Sequence, residues 1–189
     1  MSLIPTFEIG LWNAWILVLG KLLPMLFFLR IYRARGAPSP NLSTMRRTLA
    51  RVSTTLTILA VIYCVFLPLK LGAVWFYVGL PITLIGFIGG TTALVSWHTA
   101  SRDESVTTGL YRFSRHPMYI TDFLFFLGVA IATASWVLLL VGIIYTIVAY
   151  ASIDAEEQSY TEKYGNAYRK YMERTPRYIG IPKQGERYA

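Results

Sequence analysis

The stretch PMYITDFLFFLGVAIATASWVLLLVGIIYTIVAYAS, residues 117–152, decides the fold class of this chain. It contains two apolar runs, Pro117–Thr133 and Trp136–Ser152, joined by a two-residue turn, and its one charged residue is Asp122. About 20 mostly apolar residues suffice for a helix to cross the hydrocarbon core of a bilayer. Each run has 17 residues, so the stretch predicts a hairpin of two short membrane-spanning helices.

Three more apolar runs precede this hairpin: Ile9–Leu29, Ser53–Leu69 and Val74–Trp97. The chain of 189 residues is 54% hydrophobic, with a mean hydropathy of +0.47, which is too apolar for a soluble domain of this size. A Rossmann unit requires a strand, a glycine-rich turn and a helix in succession, and no part of this sequence fits that pattern. We therefore predict an all-α integral membrane protein with five transmembrane helices. Residues 1–189 form one membrane domain, in which residues 1–97 hold spans one to three.

The positions of the basic residues test the number of spans independently. The chain has 18 Lys and Arg residues, and five crossings place all of them on one side of the membrane except Lys70, on the opposite side, and Lys21, inside the first span. Four or six spans would scatter these charges over both sides. Because Lys and Arg accumulate in cytoplasmic loops, we predict that the N-terminus lies outside and the C-terminus in the cytoplasm.

The formal net charge is +8, and we predict that the basic residues bind membrane lipids. The basic residues flank apolar runs, where anionic headgroups attract each Lys or Arg by about 1 kcal/mol. We therefore predict no nucleic-acid partner. The sequence has one cysteine, Cys64, and two histidines, which are too few for a metal site. We predict no metal and expect Cys64 to pack within a span.

Small residues recur at intervals of four on two of the spans. Gly86 and Gly90 lie on the third span, and Gly128 and Ala132 lie on the fourth. This spacing is typical of helices that pack closely in membranes. We expect helix packing at these positions, with close approach of a ligand to the backbone as the alternative.

Polar residues gather where the fourth span begins, in the segment Gly109–Tyr119, GLYRFSRHPMY. Pro117 suits the first position of a helix, because its missing N–H would be unpaired there anyway. His116 is then the N-cap residue, and we expect extended backbone there because it precedes proline. The helix N-terminus and Arg115 together predict a seat for a carboxylate or phosphate, with a lipid headgroup as an alternative ligand.

Tyr119 and Asp122 lie three residues apart, so we expect them on the same face of the fourth span. An ionised aspartate costs about 2.5–3.5 kcal/mol at the middle of a membrane and less near its edge. Asp122 is therefore either a functional residue or part of an ion pair with a nearby arginine that locks the helix.

The acidic pair Glu156 and Glu157 follows the fifth span. Adjacent residues on a helix point about 100° apart, so we expect only one of the two to face the protein interior. A carboxylate on one helix and an anion seat on another suit a zwitterion with an extra positive charge. S-adenosylmethionine has this pattern, because it carries a carboxylate, an ammonium and a sulfonium group.

The segment Asp154–Met172 has tyrosines at helical spacing, with most of its charged residues on other faces. It predicts an amphipathic C-terminal helix on the cytoplasmic side. This helix would close the mouth of the site, or lie on the membrane surface with its tyrosines at headgroup depth. The tyrosines are Tyr160, Tyr164, Tyr168 and Tyr171.

The sequence resembles the isoprenylcysteine carboxyl methyltransferase family in three segments, Val106–Tyr119, Glu156–Glu157 and Tyr164–Tyr171. The wider group of this family includes the integral-membrane phospholipid methyltransferases. The resemblance covers residues 98–180, which hold the fourth and fifth spans and the tail helix. It implies a helical, membrane-embedded methyltransferase that uses S-adenosylmethionine and has no Rossmann domain. Residues 98–180 would be its cofactor-binding core.

The polar residues described above and the resemblance together indicate which residues form the site, and Arg115, Asp122 and Glu156 rest on their positions and charges rather than on the resemblance. We expect catalytic roles for Arg115 and Asp122. The residues expected to bind the cofactor are Gly109, Tyr111, His116, Pro117, Tyr119, Glu156 and Glu157. The sequence leaves open which of the two glutamates faces the cofactor.

The acceptor that the resemblance implies is a lipophilic small molecule or a lipid-anchored substrate, and the nearest match is a prenylcysteine-like carboxylate. The chain departs from the family pattern: Thr121 stands where many relatives have glycine, Tyr160 stands where leucine is usual, and residues 150–155 contain no arginine. One alternative is methylation of a phospholipid or other amine. The others are an NADPH-dependent sterol or isoprenoid reductase, a transporter and a structural membrane protein. The oligomeric state stays open.

Overall fold

The computed structural model describes residues 9–23, 44–101 and 104–181, and these are helical apart from turns, loops and one isolated bridge between Asn13 and Pro68. The all-α prediction is confirmed for this part of the chain. The helices are α1 (residues 15–23), α2 (Thr44–Val65), α3 (Val74–Thr99), α4 (Pro117–Ala132), α5 (Trp136–Ala151), α6 (Ile153–Tyr164) and α7 (Asn166–Arg174), and a 3-10 turn covers Gly109–Arg112.

Two helical stretches are long and apolar enough to cross a membrane, Val74–Thr99 and Trp136–Tyr164. Only 22% of the apolar window of each stretch is buried, and bulky side chains such as Ile85 and Ile147 are exposed. The core helix of a soluble protein would bury such residues, and soluble proteins rarely expose so much contiguous apolar surface. These outward faces are suited to lipid.

The structure tests the five predicted spans unevenly. The third, fourth and fifth correspond to α3, α4 and α5, and the second overlaps α2. Helix α4 and the apolar part of α2 are shorter than the two long stretches. The first predicted span, Ile9–Leu29, extends beyond the described residues. The number of spans and their orientation therefore remain predictions.

The tail forms two helices, so the single amphipathic helix predicted from the tyrosine spacing is wrong. Gly165, with φ +56° and ψ −131°, ends α6 and precedes α7. Residues with a side chain rarely adopt this conformation, so the glycine permits a sharp change of direction. Tyr168 of α7 thereby returns to Tyr160 of α6, with their ring centroids 5.5 Å apart.

Helices α3 and α4 approach each other backbone to backbone through glycines. A Cβ atom on Gly86 would lie 2.4 Å from the Phe125 nitrogen, and one on Gly128 would lie 2.3 Å from the Thr83 nitrogen. No side chain fits in that space, so the predicted packing role of Gly86 and Gly128 is confirmed. This contact fixes the position of α4 and of the polar segment that begins it.

An apolar core joins α1, α2, α4 and α5. Cys64 is fully buried in one cluster with Phe125 and Leu138, as expected of a packing residue. The Ala14 N–H donates to the Leu67 carbonyl at 2.8 Å, which ties the start of α1 to the end of α2. Helix α1 therefore packs into the same bundle as the helix that carries the polar segment.

Candidate functional site

His116 and Pro117 begin α4 as the sequence predicted, with His116 as the N-cap and Pro117 at the first position. The His116 backbone has φ −129° and ψ 55°, so the extended conformation that we expected is wrong. The residue still avoids the α-helical region, which a following proline disfavours. Its N–H donates to Ser114 Oγ at 3.0 Å, and its side chain makes no capping hydrogen bond. The imidazole is directed at α6 instead.

Both glutamates of the acidic pair lie against the His116 ring. His116 Nε2 is 3.1 Å from Glu157 Oε1, and His116 Nδ1 is 3.7 Å from Glu156 Oε2. Of the two glutamates only Glu157 is buried, as expected for adjacent residues of a helix, and Glu156 reaches the second ring nitrogen from a partly exposed position. Glu156 also accepts hydrogen bonds from the hydroxyls of Tyr119, at 2.8 Å, and Tyr160, at 3.0 Å.

Two guanidinium groups face Glu157, which is only 6% exposed. Arg115 Nη1 lies 3.1 Å from Glu157 Oε1, and Arg177 Nη2 lies 2.6 Å from Glu157 Oε2. Arg177 also reaches Asp154 at 2.8 Å. The hydrogen bond to Glu157 raises the pKa of Arg177, so this group stays charged. We call Arg115, His116, Tyr119, Glu156, Glu157 and Arg177 the polar cluster.

The segment after α7, residues 175–181, carries Arg177 into this cluster. The Arg115 N–H donates to the Pro176 carbonyl at 3.0 Å, and the Gly180 N–H donates to the Phe113 carbonyl at 3.1 Å. The segment thus lies beside the loop that precedes α4. In the sequence, Arg177 is recognisable only as one of the basic residues of the tail. Its contact with Glu157 could not be predicted, because no helical spacing relates residue 177 to residue 157.

Gly109 and Tyr111 lie in the loop before α4, and contacts with α3 and α7 hold them in place. Gly109 has φ +61°, and a Cβ atom there would lie 2.4 Å from Ser96 Oγ of α3. The Tyr171 hydroxyl donates to the Tyr111 carbonyl at 2.7 Å, and burial raises the pKa of Tyr171, which keeps this hydroxyl protonated. These contacts give both residues a structural role. Their predicted part in cofactor binding stays a prediction.

Asp122 lies outside the polar cluster, one turn further along α4. It pairs with Lys21 of α1, and its other oxygen accepts a hydrogen bond from the Tyr145 hydroxyl at 3.0 Å. The expected ion pair exists, but with a lysine of the first predicted span rather than an arginine. Tyr119 and Asp122 both contact α5 or the helix that continues it, so the shared helical face is confirmed. The catalytic roles of Arg115 and Asp122 stay predictions.

The polar cluster combines acids and bases in one partly buried place. Its two carboxylates face two guanidinium groups and one imidazole in the contacts described above. Arg115 Nε is buried and has no hydrogen-bond partner within the described residues, so one donor of this guanidinium remains available. Such a cluster can exchange internal partners for a ligand that carries both positive and negative groups.

Exposed apolar helices are typical of a membrane protein, and the charged cluster at the junction of α4 and α6 is the candidate functional site of this chain. A family model described as phospholipid methyltransferase matches residues 71–167, just over half of the chain. The chain belongs to this family, which falls within the isoprenylcysteine carboxyl methyltransferase-like group of membrane methyltransferases. The protein is therefore a membrane methyltransferase.

The family match includes most of the polar cluster. Its range begins in the turn before α3 and ends at the start of α7, and it contains every residue that we predicted to bind the cofactor. Lys21 and Arg177 lie outside the matched range. No curated protein matches the chain significantly.

Proposed function

We propose that the protein transfers a methyl group from S-adenosylmethionine to a lipophilic acceptor, and that the polar cluster holds the cofactor. The observation that carries this proposal is the meeting of Glu156 and Glu157 with Arg115 and Arg177 around His116. The family supports methyl transfer, and S-adenosylmethionine is its expected donor.

The residues of the cluster fit this cofactor by charge. Glu156 and Glu157 would face its cationic groups, since carboxylates form strong charge-assisted hydrogen bonds with ammonium groups. Arg115, with its buried and unpartnered Nε, would face the cofactor carboxylate. When bound, S-adenosylmethionine supplies a methyl group activated by its sulfonium.

The chain itself contributes alignment and exclusion of water. Glu157 and His116 are nearly inaccessible to solvent, and Tyr168 and Tyr171 are buried near them on α7. Burial, together with the negative charge of Glu157, raises the pKa of Tyr168, which therefore stays neutral in this site. Fixed orientation of two reactants lowers a barrier by up to about 7–11 kcal/mol in favourable cases. Methyl transfer to an ionised nucleophile depends chiefly on this alignment, whereas an amine acceptor must in addition lose a proton before it can take the methyl group.

The acceptor enters the proposal as a lipid, because the helices that carry the cluster expose apolar faces. The family description favours the amine of a phospholipid headgroup. The prenylcysteine-like carboxylate of the sequence analysis is the second candidate. It has the weaker support, since residues 150–155 contain no arginine to face that carboxylate.

Calorimetric titration of the detergent-purified protein tests the cofactor assignment. We expect binding of S-adenosylhomocysteine and no binding of NADPH. Binding of NADPH alone would favour a reductase and remove the proposal. Membranes that contain the protein should also transfer a labelled methyl group into an organic-extractable product. Label that mild base releases as methanol indicates a carboxyl ester, whereas base-stable label indicates an amine.

We further propose that the polar cluster opens to the cytoplasm, with the N-terminus outside. The support is the distribution of the 18 basic residues, which five spans place almost entirely on one side. A reporter fused after Ala189 should read cytoplasmic, and one fused ahead of Met1 should read external. If both reporters lie in the same compartment, the odd number of spans is wrong.

A further inference from the structure

We propose that Lys21, Asp122 and Tyr145 form a binding site for a zwitterionic lipid headgroup, the acceptor of the methyl group, with Asp122 facing its ammonium and Lys21 its phosphate. Asp122 would also take one proton from this ammonium, because only the neutral amine has the lone pair that accepts the methyl group. We call these three residues the intramembrane triad. The inference rests on the proposed function, because it assigns the acceptor side of the same reaction.

The triad draws its side chains from three helices. Lys21 Nζ of α1 pairs with Asp122 Oδ1 of α4, and the Tyr145 hydroxyl of α5 donates to Asp122 Oδ2 at 3.0 Å. Lys21 Nζ also lies 4.6 Å from the ring centroid of Phe125 and 5.3 Å from that of Phe126. A cation and an anion are therefore held side by side at fixed positions within an apolar bundle.

A structural lock alone does not account for these charges. Lys and Asp each cost about 2.5–3.5 kcal/mol at the centre of a membrane helix. Well-packed apolar residues in place of an ion pair are often as stable or more stable. Lys21 and Asp122 also retain 26% and 22% of their side-chain surface exposed, so a headgroup has access to both.

The position of the triad suits an acceptor. Asp122 follows Tyr119 by three residues on α4, a rise of about 4.5 Å. The Tyr119 hydroxyl donates to Glu156 of the polar cluster at 2.8 Å. The triad therefore lies one helical turn from the proposed cofactor site, on the side of the apolar helices, from which a lipid would approach.

The charges of the triad match those of an ethanolamine phospholipid. On binding, the ion pair between Lys21 and Asp122 opens, Lys21 pairs with the phosphate and Asp122 pairs with the ammonium, so no charge is left unpaired. A lipid with a carboxylate and no cation would leave Asp122 without a partner. The triad therefore selects a zwitterion over a simple acid, as paired groups that lose a partner are costly to keep buried.

Kinetics of purified variants test the site. The substrates are vesicles that contain dioleoylphosphatidylethanolamine and, separately, N-acetyl-S-farnesylcysteine as a carboxylate without a cation. We expect Lys21→Met and Asp122→Asn to raise the KM for the ethanolamine lipid by roughly 10- to 150-fold. The affinity for S-adenosylhomocysteine should change less than about twofold. Lys70→Met, an exposed lysine in the turn before α3, is the matched control and should leave both values unchanged.

The charge-reversed double variant, Lys21→Asp with Asp122→Lys, separates a binding site from a lock. It keeps an ion pair between α1 and α4 but places the cation on α4, so we expect it to bind S-adenosylhomocysteine without regaining lipid methylation. Recovery of the wild-type KM, or single variants with an unchanged KM, overturns the inference. Wild-type protein that methylates only the farnesylcysteine also overturns it, while the proposed function stands. Wild-type protein that neither binds S-adenosylhomocysteine nor transfers methyl groups contradicts the proposed function itself.

Discussion

Two charged regions lie one turn apart on α4 and differ in how their charges are paired. In the polar cluster, Glu157 contacts Arg115, His116 and Arg177, so this carboxylate has three side-chain partners. In the intramembrane triad, Lys21 and Asp122 form a single ion pair. Glu157 can therefore give up one partner to a ligand and keep the others, whereas the pair of Lys21 and Asp122 requires a ligand that replaces both partners together.

The largest expected effect is on cofactor affinity when the cluster loses a charge. Glu157→Gln preserves size but removes the carboxylate that we assign to the cationic cofactor. Loss of a hydrogen bond to a charged group costs about 1.5–3 kcal/mol, so affinity for S-adenosylmethionine should fall roughly 10- to 150-fold, measured by calorimetry. His116→Ala should weaken binding in the same direction.

Glu162→Gln is the matched control, because Glu162 lies on the same helix, is exposed and contacts Gln158 rather than the cluster. Its affinity should equal that of the wild type. Unchanged affinity in Glu157→Gln, with the fold intact, would transfer the role to Glu156. Equal losses in Glu157→Gln and Asp122→Asn would erase the distinction between the two regions.

A change in the shared support of both regions should have the next largest effect. Gly86→Ala places a methyl group 2.4 Å from the Phe125 nitrogen, so α3 and α4 must separate. Overpacking of this kind costs about 1–3 kcal/mol, measured as a lower thermal stability in detergent. Because α4 carries both regions, affinities for cofactor and lipid should fall together. In Gly20→Ala the new methyl group lies 4.0 Å from Phe87, and stability should be retained.

A smaller effect is expected from the support of the loop before α4. Tyr171→Phe removes the hydrogen bond to the Tyr111 carbonyl at 2.7 Å. A neutral hydrogen bond contributes about 0.5–1.5 kcal/mol, so cofactor affinity should fall up to about tenfold with no change in the KM for lipid. Tyr77→Phe, at an exposed tyrosine of α3, serves as the control. A change in KM alone would place the loop with the triad instead of the cluster.

The smallest effect is expected at the exposed partner of Arg177. Asp154 and Glu157 both accept from Arg177, but the Asp154 side chain is 82% exposed and that of Glu157 only 8%. Exposed ion pairs contribute about 0.2–1 kcal/mol, so Asp154→Asn should change cofactor affinity by less than about fivefold in the same titration. A loss as large as that of Glu157→Gln would show that the placement of Arg177, rather than burial of Glu157, sets the affinity.

Local features of the structure could be predicted from the sequence. Hydropathy placed the start of α3, α4 and α5 at the observed residues, and proline chemistry identified Pro117 and His116 as the start of α4. These features depend on neighbouring residues alone. The break at Gly165 was missed, because the tyrosine spacing continues across it and a glycine in a helical pattern does not reveal its φ angle.

Contacts between distant parts of the chain could not be predicted. Lys21 and Asp122 are 101 residues apart, and Arg177 and Glu157 come from segments separated by α7. Sequence patterns report the face on which a residue lies but not the side chain that meets it from another helix. The same limit applies to Glu156, because no spacing within α6 predicts its contact with the second ring nitrogen of His116.

The position of Arg177 in the sequence determines when the polar cluster can be completed during synthesis. Residue 177 is synthesised 20 residues after Glu157 and after every predicted span, so a shorter chain would offer Glu157 the Arg115 guanidinium but not that of Arg177. The Arg177 guanidinium is the last group of the cluster to be synthesised. It contacts Glu157 of α6 while its segment pairs with the loop before α4, through the hydrogen bonds of Pro176 and Gly180. The polar cluster can therefore be complete only after all of the helices around it have been synthesised.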